Sequence, residues 1–148
     1  MAALNRIDPA PGKGQQVGIG VIGCGFMGKV HSNAYLKIPY SFAQPAALPR
    51  LHAICGRNAA RTEDAARRLG YDGWYTDWKD LVRDPQVGIV DVCTPDSGHG
   101  APSIAAAQAG KHVICEKPLA MTVAEARSMA EAARAAGVKN MLCHNYRF

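Results

Sequence analysis

Five short stretches of this chain carry residues that could do chemistry, and each follows an apolar run. The first is Gly23-Cys24-Gly25-Phe26-Met27-Gly28, which closes the run Val17–Ile22 and opens a segment of helical character. The spacing G-x-G-x-x-G between a strand and a helix is the pattern of a dinucleotide-binding turn. Gly23 lets the chain turn sharply, Gly25 leaves the backbone open to a pyrophosphate, and Gly28 lets the helix pack closely on the strand. The first N–H groups of that helix, around Phe26, Met27 and Gly28, are unpaired and carry partial positive charge, so a phosphate is stabilised there.

The second stretch, Gly56-Arg57-Asn58, follows the run Leu51–Cys55. A dinucleotide site usually has Asp or Glu at this strand end, accepting both ribose hydroxyls. Here the place is taken by Gly56, and the carboxylate that would repel a 2′-phosphate is absent. The Arg57 guanidinium could grip such a phosphate. Arg57 could instead stack on the adenine or face solvent, and Asn58 could bond the ribose. Glu63 and Asp64 lie further into the following helix and are poor substitutes. The expected cofactor is NADP, or either NADP or NAD, rather than NAD alone.

The remaining stretches are Thr94-Pro95-Asp96-Ser97-Gly98-His99, Glu116-Lys117-Pro118 and His144-Asn145-Tyr146-Arg147. A lysine just past a strand end can hydrogen-bond a developing alkoxide or assist proton transfer. Its pKa is readily lowered by burial or by a cationic nicotinamide nearby. Taken alone, Lys117 is more often a solvated surface residue than a catalytic one.

These stretches need elements to hold them. Phe26–Lys37 is the first expected helix, stopped by Pro39. Residues 39–50, with three prolines and two aromatics, are expected as a loop, either padding or a flap. The segment 59–69 is a helix closed by Gly70. Residues 73–76 are a short strand, and Asp77 caps a helix over 78–83. Residues 87–94 (VGIVDVCT) are dense in Val and Ile, as in a strand buried on both faces. A helix over 101–109, a strand over 111–115, a helix behind the capping box Thr122-Val123-Ala124-Glu125 and a strand over 138–143 follow. Strands alternating with helices give parallel βαβ units with right-handed crossovers. The expected fold is α/β: a Rossmann-like, doubly wound parallel sheet of six strands with helices on both faces. Ligands of such sheets bind outside the carboxyl ends of the strands, which is where all five stretches fall.

Composition bounds the alternatives. At 148 residues the chain suits one domain. A hydrophobic fraction of 48% against 20% charged residues fits a packed core rather than disorder. Residues 1–15 are expected as a flexible arm without the apolar core of a secretory signal, and 16–148 as the folded domain. No apolar run is long enough to span a membrane. The net charge of +5 is scattered, which argues against nucleic acid as a partner. Five cysteines, Cys24, Cys55, Cys93, Cys115 and Cys143, contain no C-x-x-C pair. Buried reduced thiols are expected, no metal site, and a cytoplasmic location.

The ordered set Gly23–Gly28, Thr94–His99, Cys115-Glu116-Lys117-Pro118-Leu119-Ala120 and Asn145-Tyr146-Arg147-Phe148 resembles the Gfo/Idh/MocA family over residues 16–148. His31-Ser32-Asn33-Ala34-Tyr35 and the insertion after it look like the levoglucosan dehydrogenase-like branch. The resemblance implies NAD(P)-dependent hydride transfer at a carbon of a sugar, cyclitol or related polyol. It implies that Lys117 is the catalytic residue and reaches the nicotinamide ribose and the substrate hydroxyl, with Glu116 orienting it or touching the cofactor. Thr94 and Pro95 would lie by the pyrophosphate and nicotinamide ribose. Asp96 stands where the family often has Asn, and so lacks the amide donor. His99 would either touch the cofactor or pack at a helix start. Asn145 matches the end-of-domain motif, as does Arg147, for which a hinge role is favoured.

Family members carry a second α/β domain that supplies a catalytic His and often an Asp. The chain is therefore expected to bind cofactor without turning over substrate, and to expose a last strand that favours homo-oligomers. Two other functions fit a similar glycine turn. An NAD(P)-sensing module without catalysis would tolerate loss of Lys117. A methyltransferase would bind S-adenosylmethionine and no NAD(P).

Overall fold

The computed structural model describes residues 15–147. Its elements alternate as expected: β1 (Gln15–Ile22), α1 (Phe26–Ser41), β2 (Ala47–Cys55), α2 (Ala59–Leu69), β3 (Gly73–Tyr75), α3 (Trp78–Arg83), β4 (Ile89–Val92), α4 (Gly100–Gln108), β5 (His112–Glu116), α5 (Val123–Ala135) and β6 (Asn140–Cys143). Every strand pairs in parallel, in the order β3-β2-β1-β4-β5-β6. The order reverses between β1 and β4, which is where a doubly wound sheet opens its ligand crevice. Among the described residues no helix is long and apolar enough to cross a membrane. Of the arm expected over residues 1–15, residues 1–14 lie outside the described residues, and Gln15 opens β1.

Alternation along the strands builds two cores. Ile19, Val21, Leu51, Ile54 and Cys93 face α1 and α2 and pack with Ala65, Ala66 and Tyr71. Ile22, Ala53, Cys55, Val90, Val92, Val113 and Cys115 face the other way, onto Leu81, Ala106, Ala107, Met129 and Ala133 of α3, α4 and α5. Leu51 and Ile54 share a face although three residues apart, because the register shifts between Ile19 and Gly20. Gly20 is needed for close approach: a Cβ there would meet the Leu81 side chain at 2.7 Å.

The insertion over residues 39–50 is shorter as a loop than expected. Helix α1 runs through Pro39 to Ser41, and β2 starts at Ala47. Pro39 sits in the last turn, where its missing N–H forfeits one helical bond, and Phe42 N–H still closes on Ile38 O at 3.0 Å. Pro49 pairs in register with Val17 of β1. There β2 has no neighbour on its other side among the described residues, since β3 pairs only with residues 53–55, and an edge tolerates proline. The caps at Asp77 and Thr122 agree with expectation, each accepting a main-chain N–H in the first turn that follows, and Gly70 closes α2 in the left-handed conformation at φ 81°. The structure adds a third, Asn58, which caps α2.

Away from the strand ends, Asp84 ties three elements together. Its carboxylate accepts from His52 Nε2 (2.8 Å), the Tyr75 hydroxyl (2.9 Å) and Gln86 N–H (2.8 Å). Burial by itself would raise its pKa, but these donors outweigh burial and hold the carboxyl below its ordinary value. The stability it contributes is present above the ordinary carboxylate pKa and is lost as pH falls through the lowered folded value. Asp84→Ala should therefore cost about 2–4 kcal/mol in urea unfolding at neutral pH and flatten the acid limb of stability. An unchanged acid limb would contradict this.

Candidate functional site

The carboxyl ends of β1, β2 and β4 enclose a cleft of about 800 Å³. The glycine turn forms its floor. Gly23 adopts φ +114°, and its N–H donates to Cys55 O at 2.8 Å, joining β1 to β2. A Cβ at Gly23 would crowd Cys93 O at 2.5 Å, and a Cβ at Gly28 would collide with Gly23 O. Both positions are closed to any side chain. Gly25 is the opposite: a Cβ there meets nothing within 4 Å. Gly25 is also the N-cap of α1 and offers no capping side chain. The first-turn N–H groups of Phe26, Met27 and Gly28 thus stay available to an anion at the positive end of the helix.

The cleft walls come from the next two strand ends. Gly56, Arg57 and Asn58 line one side, together with Arg61, Thr76 and Trp78. Arg57 and Arg61 are exposed, and neither has an acidic partner within 4 Å among the described residues. Asn58 Oδ1 accepts Arg61 N–H at 3.0 Å, so the side chain expected at the ribose also serves as the cap of α2. Thr94, Pro95, Ser97 and Gly98 form the other wall. Thr94 Oγ1 is buried there and has no hydrogen-bond partner among the described residues. Buried hydroxyls rarely stay unpaired, so a ligand oxygen in the cleft suits it. The open space over Gly25, the unpaired first-turn N–H groups and the unpartnered Thr94 hydroxyl together fit a bound dinucleotide.

The cleft gathers Gly23, Gly25, Phe26, Met27, Gly56, Arg57, Asn58, Thr94 and Pro95, and it leaves other candidates out. Gly28 lies behind the turn as packing. Asp96 is exposed in a short 3-10 turn beside the cleft. His99 is fully buried, with Nδ1 2.7 Å from Pro118 O and Nε2 2.9 Å from Thr94 O. Both ring nitrogens thus face main-chain carbonyls, one of them donating its N–H, which matches packing at the start of α4. Lys117 is exposed at the end of β5, the strand next to β4, and its peptide bond to Pro118 is cis. Asn145 is exposed in the turn after β6.

Glu116 points away from the cleft, onto the α1 side of the sheet, into a polar group that the motifs did not reveal. Asp91, fully buried in β4, accepts from His31 Nδ1 (2.8 Å) and from the Tyr35 hydroxyl (2.8 Å). His31 Nε2 lies 3.0 Å from Glu116 Oε1. The His31 pKa is raised, first by the hydrogen bond to Asp91, which outweighs burial, and further by the charges of Asp91 and Glu116. Cys93 and Cys143 flank the ring on its two sides. Burial drives the Cys93 thiol well up and pushes Cys143 to about 12, so both hold their protons at neutral pH. The nitrogen–carboxylate separations are those of hydrogen bonds. A tetrahedral zinc with bonds of about 2.0–2.2 Å would hold its ligand atoms roughly 3.3–3.6 Å apart.

Residues 17–144 match the family model described as an oxidoreductase family with an NAD-binding Rossmann fold. Levoglucosan dehydrogenase of Pseudarthrobacter phenanthrenivorans is 43% identical over 133 residues, covering 90% of this chain and 34% of the relative. Myo-inositol 2-dehydrogenase of Thermotoga maritima is 35% identical over 130 residues, covering 88% of this chain and 36% of the relative. Among solved structures, a levoglucosan dehydrogenase in complex with NADH superposes with a TM-score of 0.87 at 43% identity, over 90% of this chain and 36% of that one. The chain spans about a third of the length of the curated relatives it matches.

Proposed function

Because the chain belongs to the Gfo/Idh/MocA oxidoreductase family, matching its NAD-binding Rossmann domain over residues 17–144, we propose that it holds the dinucleotide in an enzyme of sugar or polyol redox chemistry. That enzyme transfers hydride between a nicotinamide cofactor and a carbon of a sugar, cyclitol or related polyol. The observation that carries the proposal is the cleft itself, with open space over Gly25 and an unpartnered Thr94 hydroxyl on its wall. The names of the relatives, which act on levoglucosan and myo-inositol, support the substrate class.

Bound nicotinamide supplies the hydride acceptor or donor. The chain's own part is to bind, orient and manage one proton. Phe26, Met27 and Gly28 present N–H groups to the pyrophosphate, and Thr94 and Pro95 shape the wall beyond it. Lys117 is the catalytic group: at the rim one strand from Thr94 it reaches the nicotinamide ribose and the substrate oxygen, its neutral amine takes the hydroxyl proton that oxidation of an alcohol releases, and the ammonium so formed returns that proton in the reverse reduction. The relatives are about three times as long, and the remaining substrate-binding groups are assigned to a domain beyond this chain. Work in the cytoplasm, with self-association along the open edge of β6, completes the proposal.

Cofactor preference follows from Arg57 and Arg61. Arg57 follows the end of β2 and Arg61 lies in the first turn of α2, both lining the cleft, with Gly56 where a ribose-binding carboxylate would repel a 2′-phosphate. The chain should bind NADP⁺ in preference to NAD⁺. In calorimetry, Arg57→Ala/Arg61→Ala should weaken NADP⁺ binding by at least about tenfold and leave NAD⁺ within about twofold. NAD⁺ binding that is as tight as NADP⁺ binding and indifferent to both arginines would overturn the preference. It would leave the hydride-transfer function standing.

A further inference from the structure

Two carboxylates, one imidazole and one main-chain N–H form a continuous path from helix α1 to the turn that carries Lys117. Asp91 is 0% exposed and Glu116 6% exposed, and His31 bridges them at 2.8 and 3.0 Å. The other oxygen of Glu116, Oε2, accepts the main-chain N–H of Lys117 at 3.1 Å. Each ring nitrogen is thus held by a carboxylate oxygen, and the hydrogen bond to Asp91 is the largest influence on the His31 pKa, raising it above its ordinary value. The trio lies on one face of the sheet for a simple reason. Asp91 in β4 and Glu116 in β5 alternate with Val90, Val92, Val113 and Cys115, all of which face α3–α5. His31 comes from α1, the helix whose first turn is the glycine loop.

Stability alone does not explain such a cluster. Three apolar side chains would cover this part of the sheet at least as favourably as a buried ion cluster. What the polar trio adds is direction. It fixes the Glu116 side chain, and Glu116 fixes the start of the Lys117 turn relative to the helix that cradles the phosphates. We infer that His31, held by Asp91, is a positioning residue for Lys117, setting its turn against the dinucleotide-binding end of α1. The inference builds on the role proposed above for Lys117.

The groups facing His31 are Asp91 and Cys93 from the β4 end, Glu116 from β5 and Cys143 from β6. On α1 itself Tyr35 shares Asp91 Oδ2 with the ring. Of these only the two carboxylates can balance its charge, since both thiols and Tyr35 are pushed above their ordinary values and stay neutral.

The test measures two quantities on the 148-residue chain: hydrogen exchange at the Lys117 amide and NADH affinity by calorimetry. His31→Leu should reduce protection of the Lys117 amide by at least about tenfold while core amides of β1 and β4 stay protected. It should also weaken NADH binding by about tenfold, as Lys117→Ala should. The double variant should be no weaker than either single variant, the signature of two residues acting through one contact. Should His31→Leu fail to fold, Glu116→Ala keeps the His31–Asp91 pair and removes the acceptor of the Lys117 N–H, and it should give the same losses. Unchanged protection at Lys117, or losses that add in the double variant, would overturn the inference. If Lys117→Ala leaves NADH affinity unchanged, the proposed role of Lys117 in cofactor binding fails, and the exchange measurement still decides whether His31 sets the turn.

Discussion

Gly25→Val should abolish dinucleotide binding and leave the fold as stable as before. A side chain at Gly25 meets nothing within 4 Å, and the residue's φ of −77° is ordinary for any L-amino acid. The new isopropyl group therefore costs the protein little, within about 0.5 kcal/mol by urea unfolding. It stands, however, in front of the first-turn N–H groups of α1, where a pyrophosphate must come within hydrogen-bond distance of the backbone. NADH affinity should fall by at least about 100-fold. The contrast with Gly28 sharpens the expectation. A Cβ at Gly28 collides with Gly23 O, so Gly28→Ala should lose stability and binding together. A Gly25→Val variant that bound NADH normally would mean that the cleft over the glycine turn is not where the pyrophosphate sits.

Asp91→Ala should be the most destabilising single substitution in the α1 face of the sheet, at about 3–5 kcal/mol. Asp91 is fully buried and accepts from His31 and Tyr35, so its loss leaves a cation and a hydroxyl enclosed without their acceptor. The effect has a pH signature. The folded pKa of His31 is raised above the ordinary 6.5, chiefly by the Asp91 hydrogen bond. A group with a raised folded pKa gives stability that is fully present below its unfolded pKa and is lost as pH rises through the folded value. Urea midpoints of the unsubstituted chain should therefore decline on the alkaline side of 6.5, and Asp91→Ala should remove most of that decline. Equal slopes in the two proteins would show that the His31–Asp91 pair carries none of it.

Much of the site was legible because a few residues have backbone duties that nothing else performs. The glycine turn, the six parallel strands and the strand-end position of every candidate stretch all follow from spacing. So do the caps at Asp77 and Thr122. The two prolines misled the boundaries for a physical reason: a proline's effect depends on whether its missing N–H had a partner. Pro39 loses one bond in a last turn, and Pro49 lies where β2 is open on one side. His99 was readable only as two alternatives, since its burial depends on Pro118 O arriving from another strand end.

The buried trio has partial signals in the sequence. Asp91 is the only charge in the run Val87–Thr94, at an interior strand position. His31, Ser32 and Tyr35 fall at helical spacing after Gly28, so one face of α1 had to be polar and inward-facing. What spacing could not supply was the partner, because only the sheet order brings α1 over β4 and β5. Arg61 was hidden for a similar reason. Its link to Arg57 needs the helical turn that starts at the Asn58 cap.

The claim on which everything else depends is that this cleft holds a nicotinamide dinucleotide. Calorimetric titration of the chain with NADH and, separately, NADPH tests it most directly, with Gly25→Val as the paired control. The expected result is saturable binding at one site per chain, tighter for NADPH, and no detectable heat from the variant under the same conditions. No binding of either dinucleotide to a folded chain, or binding that survives Gly25→Val undiminished, would contradict it.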